Sequence, residues 1–291
     1  MKSIGYYLKS TTLSLLLFTE SYFLLTLIID FVKAQNFLSF NLGYSIETIL
    51  VMLLTIYTFA LSIGGWGKWE QYLIAGFPVC IAIFISLFKF NANYAILAAA
   101  SSFLILVYDM RKTTLLKSLL IKFDPKMVLR FSTKGLLFIF SIVGGAIVFI
   151  YPADFRNQIN VGRQIAEITE EPVKKAVQSK LEEQTGQYDP ATMAVMEEEL
   201  RKIGIYDKSS AKALDLNMKD LIEKQVNNSV EPYKNLIPFV IALYTFGLLQ
   251  LYATVAYVLY ISTIDVIFWF AKYLKFFKVN KIPVEQEQLT F

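Results

Sequence analysis

The chain of 291 residues contains no histidine. That absence removes the commonest general base near neutral pH and the commonest zinc ligand. It also excludes a Ser–His nucleophile pair. There is one cysteine, Cys80, inside an apolar run, so no internal disulfide can form and a small core residue is expected there. Neither G-x-x-x-x-G-K-[ST] nor G-x-G-x-x-G occurs, which leaves no phosphate-cradling loop. Tyr108-Asp109 matches half of an intramembrane aspartyl protease signature, but the second half, Gly-x-Gly-Asp, is missing. The expectation is a chain that is not an enzyme, needs no metal or cofactor and binds no nucleic acid.

Charge is scarce over long stretches, and what fills them is apolar. The hydrophobic fraction is 55% and the mean hydropathy +0.49, high for a soluble domain. Several runs reach the roughly 20 residues a helix needs to cross a bilayer core of about 30 Å. They are apolar all round rather than alternating, so they read as helices and not as barrel strands. Spans are expected at about Thr11–Val32, Ile46–Ile63, Tyr72–Phe88, Tyr94–Tyr108 and Gly135–Tyr151, with a sixth from near Leu236. Pro78 predicts a kink in the third. The fold class is therefore all-α: a polytopic helical membrane protein with about six transmembrane helices and a helical extracytoplasmic insert.

The connections predict an orientation. Residues 111–134 carry seven basic side chains against one acid, Asp124. A short loop with that excess stays in the cytoplasm. Counting spans from it places both termini inside and residues 153–233 outside, in a multi-pass protein of the cell membrane. Three parts follow: residues 1–152 with spans one to five, residues 153–233 as the extracytoplasmic domain, and residues 234–291 with span six and a cytoplasmic tail.

Asn235–Ala271 holds one charge, Asp265, in 37 residues. At about 1.5 Å per residue such a helix would be about 55 Å long, well beyond one crossing. The spacing favours one span to about Tyr260 followed by an interfacial helix from about Thr263, with a single long helix as the rival. Lys272, Lys275 and Lys278 would then meet anionic lipids of the inner leaflet. In the basic loop, Leu115, Leu116, Leu119, Leu120 and Phe123 fall at helical spacing. That stretch reads either as a short helix on the inner leaflet, stopped by Asp124-Pro125, or as a solvated loop.

The segment 153–233 holds eleven basic and fifteen acidic residues. Its apolar positions recur at helical spacing. Met193, Met196 and Leu200 form one stripe, and Leu214, Met218 and Leu221 belong to another. These stripes are narrow for so short a domain: they read either as the core of a small helical bundle packed on itself or, the reading favoured here, as contacts also for a protein partner or a second copy of the chain.

Glu20 lies in the middle of the first span, where a carboxyl is costly and often functional. Asp265 is a second intramembrane carboxylate, nearer an end, with Lys272 as its expected companion. Ser141, Gly144 and Gly145 place small side chains on one side of span five, a helix-packing signal. Taken together, the residues predict a non-enzymatic membrane scaffold or assembly subunit that binds partners through 153–233 and its small-residue faces. The alternative is a transporter or channel component using Glu20.

Overall fold

The computed structural model describes residues 2–34, 42–65, 68–119, 124–150, 222–229, 231–233, 235–274 and 276, with single positions between 165 and 175. The helices are α1 (Lys2–Lys33), α2 (Leu42–Gly64), the short α3 (Lys68–Gln71), α4 (Phe77–Phe88), α5 (Ala92–Leu119), the short α6 (Pro125–Val128), α7 (Arg130–Ile150) and α8 (Ile237–Tyr273). No strand occurs among the described residues. Six helical stretches are long and apolar enough to cross a membrane: Leu8–Lys33, Leu42–Gly64, Trp69–Phe88, Ala92–Leu119, Arg130–Ile150 and Ile237–Tyr273.

The chain divides into two compact units. One comprises Met1–Lys33, Asn41–Pro152 and Ile241–Phe291; the other comprises Ala34–Phe40 and Ala153–Val240. In the second, residues 222–229 are helical, a 3-10 turn covers Glu231–Tyr233, and Thr169 donates to the Ile165 carbonyl at 2.7 Å. Met193, Met196, Leu200, Leu214, Met218 and Leu221 lie outside the described residues, as do Lys275 and Lys278.

In α1 the buried positions Leu13, Leu17, Glu20, Ser21, Leu24, Leu25, Ile28, Ile29 and Val32 follow a helical stripe. On the opposite face the hydroxyls of Thr12, Thr19 and Thr26 donate to the carbonyls four residues back, at 2.8 to 2.9 Å. Each thereby satisfies itself within the helix, as a lipid-facing polar group must.

Three elements differ from the expectations above. The third span is not simply kinked at Pro78. A π-helical turn, Tyr72–Gly76, precedes it, and the Phe77 N–H donates to the Tyr72 carbonyl. Proline offers no N–H and its ring crowds the carbonyl four residues back, so one widened turn absorbs the misfit. The fourth span does not end near Tyr108. α5 continues to Leu119, and Leu115 and Leu116 belong to that same rod rather than to a separate helix or a solvated loop. Asp124-Pro125 starts α6, with the Asp124 carboxylate accepting from the N–H groups of Lys126 (2.9 Å) and Met127 (3.4 Å).

The third difference concerns the end of the chain. α8 is one helix of 37 residues, with no break between Tyr260 and Thr263. Ser262 and Thr263 donate to Val258 O (2.8 Å) and Leu259 O (2.7 Å), so neither competes for the backbone of a turn.

Side-chain contacts order the helices of the first unit. Ser14 donates to Ile74 O at 3.1 Å, so α1 and the span containing α4 begin at the same end. Ser45 bonds Tyr252 at 2.7 Å and Tyr57 bonds Thr263, so α2 and α8 run parallel. Thr113 bonds Ser132 while Asp109 lies on Gly135, so α5 and α7 run antiparallel. One end of the bundle collects the cations. There Lys9 donates to Phe276 O (3.2 Å), Lys126 pairs with Asp265 (2.8 Å), and Lys117 donates to Ile63 O (2.6 Å) and Gly64 O (3.2 Å).

The small residues of α7 are used inside the chain. Ser141 is buried and donates to Leu137 O. Gly144 lies under Leu249 and Ile28, and Gly145 lies under the Ala242 carbonyl and Phe246. Lipid is as apolar as a side chain, so burying such surface between helices gains little from water exclusion. Close approach and polar ties carry the association instead.

Candidate functional site

The contact between α5 and α7 is unusually polar for its setting. Thr113 donates to Asp109 O at 3.0 Å, and Ser132 donates to the same carbonyl at 3.2 Å. The two hydroxyls also lie within bonding distance of each other, so one of the two hydrogens is shared between the carbonyl and the neighbouring hydroxyl. One turn further along each helix, the Asp109 carboxylate lies directly on Gly135. A Cβ at 135 would occupy the place of the Asp109 carboxylate oxygen, so any other residue there would have to turn that carboxylate aside.

Beside this crossing a groove of about 410 Å³ opens between α5, α7 and α8. Its polar lining comes from Asp109, Lys134, Gln250, Thr254 and Tyr257. Phe131, Leu137, Phe138 and Ala253 supply its apolar walls. Gln250, Thr254 and Tyr257 stand at i, i+4 and i+7 of α8 and therefore share one helix face. The Lys134 ammonium sits 4.9 Å from the centre of the Tyr257 ring, within cation–π range. Lys112 sits over Tyr108 (4.2 Å) and Phe131 (5.5 Å). The Gln250 Oε1 is buried and has no hydrogen-bond partner. The groove thus presents a carboxylate and an ammonium within a largely apolar wall.

Glu20 occupies a separate place. It is 8% exposed, near the midpoint of the 26-residue stretch Leu8–Lys33. Thr58 of α2 donates to its Oε1 at 2.9 Å, and its Oε2 is buried without a partner. Asp265 is at the cation-rich end and pairs with Lys126, not with Lys272. Lys272 is exposed. Glu20, Asp109 and Asp265 are not brought together: only Asp109 lines the groove. Among the described residues no group of three or more potential metal ligands occurs.

The groove escaped the sequence reading. In sequence Asp109 belongs only to half of an incomplete protease signature, and Lys134 is one of the seven basic residues of 111–134. Gln250 carried the available signal: a full amide in the middle of a run whose only charge is Asp265. Such a group needs a partner or a ligand in a membrane.

Comparison with protein-family models, curated proteins and solved structures finds no match to the chain.

Proposed function

We propose that the chain is a non-enzymatic integral membrane scaffold, an assembly subunit of a membrane complex. In this reading the cation-rich end of the bundle faces the cytoplasm with both termini. Lys272, Lys275 and Lys278 meet anionic lipid, and residues 153–233 bind a partner protein or a second copy on the other side. One observation carries it: at five places a polar side chain ties one helix of the bundle to another. Ser45 holds Tyr252, Tyr57 holds Thr263, Thr113 holds Ser132, Lys117 holds the end of α2, and Lys126 holds Asp265. A frame cross-linked in this way suits a fixed platform for other chains.

Two experiments test the reading. Replacing residues 153–233 by a Gly/Ser linker should leave a folded bundle that purifies without the chains that accompany the intact protein. If every companion stays bound, the assignment of partner binding to 153–233 is wrong. Single cysteines at Lys272 and Gly186, in a Cys80→Ser background, should label with a membrane-impermeant maleimide from opposite sides of the membrane. Labelling of both from one side would overturn the orientation.

Glu20 gives a second reading some footing, because its Oε2 is an unpartnered oxygen at mid-membrane depth. As a transporter or channel component, the chain would lose flux in Glu20→Gln while keeping its companions. Unchanged flux in that variant would remove the reading.

A further inference from the structure

The outward face of α1 repeats every seven residues. Its centre line holds Thr12, Thr19 and Thr26, and Leu16 and Phe23 follow the first two at four positions. Thr12 and Thr19 are exposed and Thr26 is half-buried, while Leu16 and Phe23 are 47% and 45% accessible. α2 carries the same arrangement turned inward. There Thr48, Thr55 and Ser62 recur at seven, with Met52 and Phe59 in the places of Leu16 and Phe23. All five are buried among the helices of the bundle, at 0 or 1% accessible. In both rows each hydroxyl donates to the carbonyl four residues back, at 2.8 to 2.9 Å. Where the chain buries this row, it serves helix contact. Among the described helices no other outward face repeats it. A period of 3.5 keeps a row in register with a parallel neighbour through a slight left-handed supercoil, whereas lipid imposes no such period.

We propose that this face of α1 is where a second copy of the chain docks inside the membrane, α1 beside α1 about a two-fold axis along the membrane normal. Two copies in one membrane point the same way, so the helices are parallel and each threonine comes level with its counterpart. The short threonines leave notches between larger side chains, and Leu16 and Phe23 of each copy enter the notches of the other. Close packing of this kind carries the association, because lipid is as apolar as the side chains it would replace. Charge selects a copy of this chain as the occupant. One turn beyond Thr26 on the same line, Asp30 and Lys33 lie 3.5 Å apart with side chains 59% and 50% accessible. Across the two-fold, Lys33 of each copy falls one turn from Asp30 of the other, so this end of the row attracts its own duplicate. The outward line of α5 does not. Leu97, Leu104 and Tyr108 lead there to the exposed Arg111, which would meet a second Arg111. The contact is independent of the partner surface proposed for residues 153–233.

The test uses the full chain with Cys80→Ser and Lys272→Cys, labelled with donor or acceptor dye and mixed in vesicles of phosphatidylethanolamine and phosphatidylglycerol. Energy transfer is read as the protein-to-lipid ratio falls. It should persist at dilutions where chance proximity gives none. Thr12→Leu, Thr19→Leu and Thr26→Leu together fill the notches with a side chain that suits lipid, and should weaken association about tenfold or more. Asp30→Lys should weaken it separately, and adding Lys33→Asp should restore it, since the swapped pair is again self-complementary. Single cysteines at Thr12, Thr19 and Thr26 should join two copies on oxidation in native membranes, whereas cysteines at Leu104 of α5 and Gly247 of α8 should not. Wild-type transfer no higher than chance would overturn the proposal. So would undiminished transfer in the triple leucine variant. If that remaining transfer vanished when 153–233 is replaced by a Gly/Ser linker, the copies would meet through that segment alone and only the α1 contact would fail. Cross-linking at Leu104 or Gly247 in place of Thr19 would move the contact to another helix and end the assignment. Capture of a different chain by the Thr19 cysteine would end it as well.

Discussion

Replacing Gly145 by alanine places one methyl group between α7 and α8, and its surroundings set the outcome. An ideal Cβ there would stand 3.0 Å from the Ala242 carbonyl oxygen and 3.1 Å from the Phe246 Cβ. Ordinary contact begins at 3.4 Å, so the two helices must part by 3.4 − 3.0 = 0.4 Å at their crossing. The obstacle is backbone, which cannot swing aside. Overpacking of this kind costs about 1–3 kcal/mol. Alanine returns about 0.5–1 kcal/mol through its better helix propensity. The net expectation is a loss of about 1 kcal/mol.

Gly247 of α8 is the internal control, because a Cβ there meets nothing within 4 Å. Gly247→Ala should gain about 0.5–1 kcal/mol. The same chemical change therefore takes opposite signs within about one and a half helical turns of the crossing partner Ala242, and the two variants should differ by about 2 kcal/mol. Reversible unfolding by SDS titration in mixed micelles measures this. If Gly145→Ala were as stable as Gly247→Ala, the close approach of α7 and α8 would be refuted. Gly144 extends the test. There the obstacle is the Leu249 Cδ1, the end of a flexible side chain, with Ile28 Cγ2 at 3.3 Å. Leu249→Ala alone should cost about 2–4 kcal/mol. Combined with Gly144→Ala it should cost less than the sum, since the new methyl enters the space Leu249 vacates.

Three further predictions follow from the ties between helices. Lys117→Met strips a charged donor from Ile63 O and Gly64 O, the last carbonyls of α2; it should cost about 2–3 kcal/mol and speed amide exchange in the final turn of α2. Thr58→Val removes the hydroxyl that donates to Glu20 and should cost about 1–3 kcal/mol, whereas in a Glu20→Leu background it should cost far less, as a double-mutant cycle would read. Lys126 and Asp265 are half exposed, with side chains 41% and 54% accessible, so Asp265→Asn should cost under about 1 kcal/mol, with the difference fading as salt is raised.

The six helices long and apolar enough to cross a membrane were legible because they depend on composition: a run of about 20 residues that is apolar on every side reads as a helix and not as a barrel strand. Helix ends were not, and the reason lies in particular residues. Arg111, Lys112 and Lys117 interrupt the apolar run of span four, which reads as a loop if charge alone is weighed. Charge ends a membrane crossing without ending a helix. Lysine and arginine are good helix formers, and Lys117 is held by the carbonyls of α2. Length misled at the other end, where 37 residues exceed one crossing and yet form one helix through Ser262-Thr263. Hydroxyls compete for backbone in water, but in an apolar setting they return to the carbonyl four residues back and leave the helix intact. Pro78 did mark a real irregularity, although its relief is a π turn on its N-terminal side, which a rule about kinks does not specify.

The groove was beyond any reading of one helix at a time, because Asp109, Lys134 and Gln250 come from three helices separated by 25 and 116 positions in the chain. Each alone has a bland account: a span-end acid, a loop cation, an amide in a long helix. Packing removes that blandness. The Thr113–Ser132 bond and the bare Gly135 draw α5 onto α7 until Asp109 lines the space in front of α8, beside Gln250, whose Oε1 is buried without a partner. In water such an oxygen would be solvated at no cost. In a membrane it must find a donor from another helix, a lipid or a trapped water. On the inner faces of α8, Tyr252 bonds Ser45 and Thr263 bonds Tyr57, whereas Thr245, Gln250, Tyr257 and Tyr260 each keep a buried oxygen without a partner. What sets the groove apart is its charges, Asp109 from α5 and Lys134 from α7, which line one space beside α8.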